Sequence, residues 1–186
     1  MVTLKPFNVE NAETHFEWNN DKELNYYDSD LPHHTESFDS FITRVKNILN
    51  SDLRSFEWLE IHTDEKNPRL IGIVDIYNID NHNNRCDMDC TIAKRNYRGK
   101  GYGKAALFEA LTHCFEVLGM HKVNAYAFDF NSTWMHVMKQ NGFTEEGVLR
   151  YHTYKESQFH DKHIFGILKE EFEELRSKQF PVNQTG

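Results

Sequence analysis

The stretch Ile92 to Leu111, IAKRNYRGKGYGKAALFEAL, constrains this chain more than any other, because a basic, glycine-rich loop there joins an apolar strand end to a helix rich in alanine and leucine. Gly99, Gly101 and Gly103 let the backbone turn tightly and aim successive N–H groups at one point. A helix beginning near Gly103 adds the positive end of its dipole. The loop reads as an anion cradle that would accept a diphosphate.

Spacing separates the phosphate-binding patterns that these residues could satisfy. A Walker loop needs a glycine where Arg98 stands and a hydroxyl where Ala105 stands, and both are absent. The dinucleotide pattern is met formally by Gly101, Gly103 and Ala106, with Asp129 ending a plausible following strand. In that fold, however, the strand runs straight into the first glycine, whereas here Lys94 to Arg98 intervene. A glycine-rich turn that binds nothing is a third reading.

The run Arg98-Gly99-Lys100-Gly101-Tyr102-Gly103 fits R/Q-x-x-G-x-G/A. In this it resembles the coenzyme A pyrophosphate loop of the GNAT N-acetyltransferase superfamily. Asn131, Gly142-Phe143 and Glu146-Gly147-Val148-Leu149-Arg150 look like the N…GF…EGxLR run of the branch holding ribosomal-protein and spermidine N-acetyltransferases. Trp18, Asp21 to Leu24 and Leu70-Ile71-Gly72 extend the likeness over nearly the whole chain. The resemblance implies a mixed α+β fold: a twisted, mostly antiparallel sheet of about seven strands with one splayed parallel pair, flanked by helices.

The 186 residues carry no proline-, glycine- or serine-rich linker, so one domain is expected, with a core over about 1–175 and a tail over 176–186. No apolar run approaches membrane-spanning length and the start MVTLKPFNVE lacks a secretory core, which points to the cytoplasm and away from membranes. Cys86, Cys90 and Cys114 cannot all pair and read as reduced thiols; with His82 they suggest no fourth ligand, so no metal is expected. A formal charge of −8 disfavours nucleic acid and suits a cationic substrate.

Periodicity predicts strands at Thr3 to Phe7, Phe56 to His62, Leu70 to Ile79, Arg85 to Ala93, Lys122 to Phe128, and near Glu146 to Tyr151 and Lys162 to Leu168. Helices are expected at Asn8 to Asn19, from about Ser37, at Gly103 to Leu118 and at Ser132 to Gln140. The stretch Tyr26 to His34 reads as a loop.

The resemblance further implies acetyl-CoA as cosubstrate and direct attack by an amine, with no protein nucleophile. Backbone N–H groups around Ile92 and Ala93 would stabilise the oxyanion. Arg98, Gly99, Lys100, Gly101, Tyr102, Gly103 and Lys104 would hold the diphosphate, with Arg98 and Lys104 supplying charge, and Asn131 would contact the coenzyme or simply cap a helix. Asp87 is the candidate base, on the assumption of a bulge in its own strand; a solvated carboxylate, or water relay to Asp28, Asp30 or Glu60, is the alternative. Met138 stands where relatives carry a tyrosine acid, leaving Tyr151, Tyr154 or solvent as the proton source.

For the acceptor, Tyr26, Tyr27, Asp28, Asp30, Tyr151 and Tyr154 combine carboxylates with aromatic faces suited to an amine cation. A polyamine or other small amine, a protein N-terminus and an aminoglycoside all fit. The opposing class of function is an acyl-CoA-binding module without turnover. A homodimer is compatible with either.

Overall fold

The computed structural model describes residues 2–50 and 55–179, so most of the C-terminal tail expected from the sequence, 180–186, lies outside the described residues. Strands β1 (Val2–Pro6), β2 (Phe56–Thr63), β3 (Leu70–Asp80), β4 (Arg85–Thr91), β5 (Lys122–Phe128), β6 (Thr144–Lys155) and β7 (Gln158–Leu168) form one sheet, ordered β1-β2-β3-β4-β5-β7-β6. All neighbours run antiparallel except β4 and β5. The expected α+β architecture with a single parallel pair is therefore present.

Parallel strands need a crossover, and α4 (Tyr102–Thr112) supplies it. Its Ala106, Leu107, Ala110 and Leu111 are fully buried, in one cluster with Val74 and Ile76 of β3, Cys86 and Met88 of β4 and Val123 and Ala125 of β5. Small alanines let the helix sit close to the sheet. This packing fixes where α4 begins, and hence where its N-terminus points.

Helices α1 (Ala12–Asn19), α2 (Lys22–Asp28) and α3 (Phe38–Leu49) lie between β1 and β2 in the chain, and α5 (Ser132–Gln140) and α6 (Lys169–Gln179) follow β5 and β7. Ser37 caps α3 through the Ser40 N–H. Helix α2 occupies sequence expected to be loop: Asp21 accepts from the Glu23 and Leu24 N–H groups and starts a helix whose aromatic and acidic composition conceals it. The expected first helix is divided, with a 3-10 turn at Val9–Asn11 before α1. A π turn at His113–Val117 ends the α4 helix.

The bulge lies in β3, not β4. Between the pairs Tyr77–Asp87 and Asp80–Arg85, β3 spends one more residue than β4, and Asn78 adopts φ 51°. Strand β4 keeps its period of two, so Asp87 and Asp89 share one face while Cys86 and Met88 enter the core.

Candidate active site

The last β4–β5 pair is Asp87–Asn124. Beyond it β4 stays with β3 as far as Thr91, and β5 stays with β7 as far as Phe128. The two parallel strands part, and a cleft of about 760 Å³ opens in the wedge. It runs from the glycine loop past Cys90, Thr91 and Ile92 to Tyr27, Asp28, Tyr77 and Asp89, with Asn131, Trp134 and Phe130 on the opposite side. A shallow groove along α3, lined by Asp39, Thr43 and Ile48, contains none of the candidate groups.

At the cleft's basic end Gly99 and Gly101 adopt φ 71° and 85°, a region that costs an L-residue about 1 kcal/mol or more. Open space lies where a Cβ would be added to either. Gly101 is the left-handed N-cap of α4, so the first-turn N–H groups of Tyr102, Gly103 and Lys104 have no intrahelical acceptor. Gly99, Gly101, Gly103 and Lys104 line the cleft, and the arrangement fits a diphosphate. Lys100 is exposed, and the Tyr102 ring packs edge-on against Tyr97.

The side chain of Arg98 is held by three hydrogen bonds. Its Nε donates to the Ile92 carbonyl at 2.8 Å, one terminal nitrogen donates to the Ala93 carbonyl at 3.2 Å, and the other meets Glu23 of α2 at 2.5 Å. Arg98 thus braces the loop, the strand end and α2, and it also lines the cleft beside the glycines. In a trans peptide the C=O and N–H point oppositely, so the bond to the Ile92 carbonyl turns the Ala93 N–H away from Arg98.

Asp87 sits outside this cleft. Its carboxylate accepts from Asn124 at 2.9 Å, Asn78 at 2.8 Å and the Tyr126 hydroxyl at 3.4 Å, in a separate concavity with Asp80 and Arg85. Asp89, two residues on, lines the cleft and accepts from the Tyr77 hydroxyl at 2.9 Å. Burial first, and then the charge of Asp28, push the Asp89 carboxyl up to about 8 despite that hydrogen bond. Burial likewise raises Asp28, and raises Asp75 beside them with help from the charges of Asp28 and Asp89. Cys90 also lines the cleft, but burial lifts its thiol to about 12, which keeps it protonated and without nucleophilic character.

The expected acceptor residues divide. Tyr27 and Asp28 line the cleft. Tyr26 packs at a tilt, 4.8 Å between ring centroids, on Phe130, which lines the cleft while Tyr26 does not. Asp30 accepts from Lys162 at 2.5 Å and Thr153 at 2.7 Å, bonds that outweigh burial and hold its carboxyl below the usual range. Tyr151 and Tyr154 are 72% and 62% exposed on the β6–β7 hairpin, near Phe159, and neither lines the cleft. Glu60 is consumed by Asn8, Asn11, His15 and His62 and serves as a buried anchor instead of a proton relay. Met138 is fully buried in the core. Asn131 caps α5 through the Trp134 N–H at 3.2 Å and also lines the cleft.

Asp89 and Tyr77 are the polar residues that the sequence reading missed. The available signal was the period of two, since an unbroken strand puts Asp89 on the face of Asp87.

The family model for the acetyltransferase (GNAT) domain matches residues 1–144. The chain is 27% identical over 118 residues to YokL, an uncharacterized N-acetyltransferase of the SPbeta prophage in Bacillus subtilis, a match covering 63% of this chain and 64% of that one. It is 33% identical over 104 residues to YdaF, a putative ribosomal N-acetyltransferase of Bacillus subtilis, covering 56% of each. The matched stretch therefore spans less than two thirds of either relative. The solved structure of spermidine N-acetyltransferase from Vibrio cholerae in complex with CoA and spermine superposes with a TM-score of 0.83 at 22% identity, covering 92% of this chain and 97% of that one, and so shares the fold.

A glycine cradle stands at the mouth of the splayed parallel pair, and the chain belongs to the GNAT acetyltransferase family.

Proposed function

We propose that the acceptor is an aliphatic amine carrying more than one positive charge, of the polyamine type, and that the chain works as a single catalytic unit in the cytoplasm. The observation that carries this reading is the composition of the cleft beyond the splay. Carboxylates Asp28 and Asp89, with Asp75 beside them, stand among the aromatic faces of Tyr27, Tyr126 and Phe130. Such a lining attracts a flexible polycation through charge and ring contacts. The V. cholerae spermidine enzyme of the same fold supports it.

On this reading Gly99 through Lys104 hold the diphosphate through backbone N–H groups and the charges of Lys100 and Lys104. Asn131 and Ile92 flank the pantetheine arm, and Arg98 keeps the Ala93 peptide set for the oxyanion. Acetyl-CoA supplies the activated acyl group. The amine loses its proton, its lone pair attacks the thioester carbonyl, and the C–S bond breaks. The thiolate, with a pKa near ~8.5, leaves with its proton coming from solvent, since no tyrosine of the β6–β7 hairpin reaches the cleft.

Competition among acceptors tests the proposal. Spermidine, a simple monoamine, an aminoglycoside and a short peptide with a free N-terminus are compared by kcat/KM. A polyamine preference supports the reading; equal use of the monoamine, or preference for the peptide or the aminoglycoside, contradicts it.

A further inference from the structure

We propose that Lys162 is a specificity-determining residue: its ammonium fills a cation place in the cleft that a second ammonium of the acceptor would otherwise take, and so limits how strongly a polyamine is favoured over a monoamine. The inference deepens the proposed function and rests on it.

The place is built by β5, β6, β7 and the segment after α2. Lys162 lies on β7 opposite Phe128 of β5, and its side chain lines the cleft together with Tyr126, Phe128, Asp28 and Asp89. Its Nζ donates to Asp30 at 2.5 Å and stands 5.2 Å from the centroid of the Tyr126 ring and 5.9 Å from that of Phe128. Asp30 is held from β6 as well, by the Thr153 hydroxyl at 2.7 Å. A carboxylate set beside two aromatic faces is a site for an alkylammonium, and the alkylammonium in it is the chain's own.

Position gives this arrangement its consequence. Lys162 lines the cleft and Asp30 does not, so what Asp30 presents to the cleft is the ammonium bonded to it. The charge of Lys162 also reaches Asp89, where it favours the ionised carboxylate. Lys155 is the other ammonium near these rings, 4.7 Å from the Phe128 centroid, but it donates to the Tyr26 main-chain carbonyl at 2.5 Å and does not line the cleft. Arg98 and Lys104 line it at the glycine loop instead. Asp28 and Asp89 therefore recruit the polycation while Lys162 withholds one further carboxylate and the Tyr126 face. Removing its charge leaves Asp30, Tyr126 and Phe128 to an acceptor long enough to reach them.

The test uses the full chain with acetyl-CoA and reads the ratio of kcat/KM for spermidine to that for a simple monoamine. The unmodified protein is compared with Lys162→Met, Lys162→Arg, Asp30→Asn and the double variant of Lys162→Met with Asp30→Asn. Methionine keeps an unbranched chain without the charge, so the ratio should rise about tenfold in Lys162→Met, the size of one added carboxylate and ring contact. The double variant should lose that gain, because the carboxylate that produces it is gone. A lysine that merely tied Asp30 in place would, on removal, lower both rates together and leave the ratio unmoved. An unmoved or lower ratio in Lys162→Met overturns the proposal, as does an equal rise in Lys162→Arg, which keeps the charge, or a gain that survives in the double variant. If Lys162→Met does not fold, Asp30→Asn decides: it leaves an unpaired ammonium in the cleft, so the ratio should fall, and an unmoved ratio overturns the proposal. Absence of spermidine turnover by the unmodified protein, with acetyl-CoA bound, refutes the polyamine reading and this inference with it; spermidine turnover with an unmoved ratio in Lys162→Met refutes only the inference.

Discussion

The indole Nε1 of Trp134 donates to the main-chain carbonyl of Tyr126 at 3.0 Å, tying the first turn of α5 to β5 just past the point where β4 stops pairing. A strand that has lost one neighbour needs other partners for its polar backbone, and this bond supplies one. Trp134 lines the cleft as well, so the group that steadies the open edge also shapes the wall facing the coenzyme.

Trp134→Phe keeps a ring but removes the donor. Thermal or denaturant unfolding should show a loss of about 1 kcal/mol, the net worth of such a bond, and acetyl-CoA binding should weaken as the wall loosens. Unchanged stability would assign the carbonyl another partner.

Gly101→Asp should abolish acetyl-CoA binding, because φ 85° is strained for any side chain and the added carboxylate would repel a diphosphate. Gly101→Ala isolates the strain. Gly103→Asp isolates the charge, since a Cβ there has ordinary contact with Ile92 at 3.6 Å and no positive φ. Calorimetric titration with acetyl-CoA should rank the losses as Asp at 101, then Asp at 103, then Ala at 101.

Arg98→Lys should behave much like Arg98→Ala. A lysine cannot bridge two carbonyls and Glu23 in one plane, so both variants should lower acetyl-CoA affinity by about tenfold through a loosened loop. A fully active Arg98→Lys would show that charge alone suffices.

Glu60 and Asp89 should act on stability in opposite senses. Burial alone would raise Glu60, but hydrogen bonds from His15, Asn8, His62 and Asn11 depress it from 4.5 to about 2. Its contribution is therefore present above 4.5 and lost as pH falls toward 2, and Glu60→Gln should lower stability more at neutral pH than near pH 2. Asp89 is raised from 3.8 to about 8, so its contribution is full below 3.8 and lost as pH rises through 8. Asp89→Asn should accordingly raise Tm most above pH 8, and a Tm unaffected by pH in this comparison would contradict the burial of that carboxylate.

Much of this could be read from the sequence because local chemistry fixed it. The glycines at 99 and 101 serve backbone angles that other residues avoid, and β5 and α5 begin and end where the pattern put them. What escaped depended on partners distant in the chain. Helix α2 is recognisable mainly from its Asp21 cap, β6 and β7 exceed their expected lengths because bulges interrupt the alternation of β6, and α6 has a charged composition that gives little apolar period. The role of Arg98 could not be read either, since Glu23 lies 75 residues away. The division between Asp87 and Asp89 depended in the same way on Asn78, Asn124 and Tyr77 from neighbouring strands.

The most direct measurement incubates the full chain with acetyl-CoA and spermidine, and follows free CoA thiol together with the acetylated amine by mass spectrometry, with Gly101→Asp as the control. The account predicts equal amounts of thiol and acetylated amine, dependent on protein and lost in the variant. Thiol release without acetylated amine, or bound acetyl-CoA that no polyamine consumes, would contradict it.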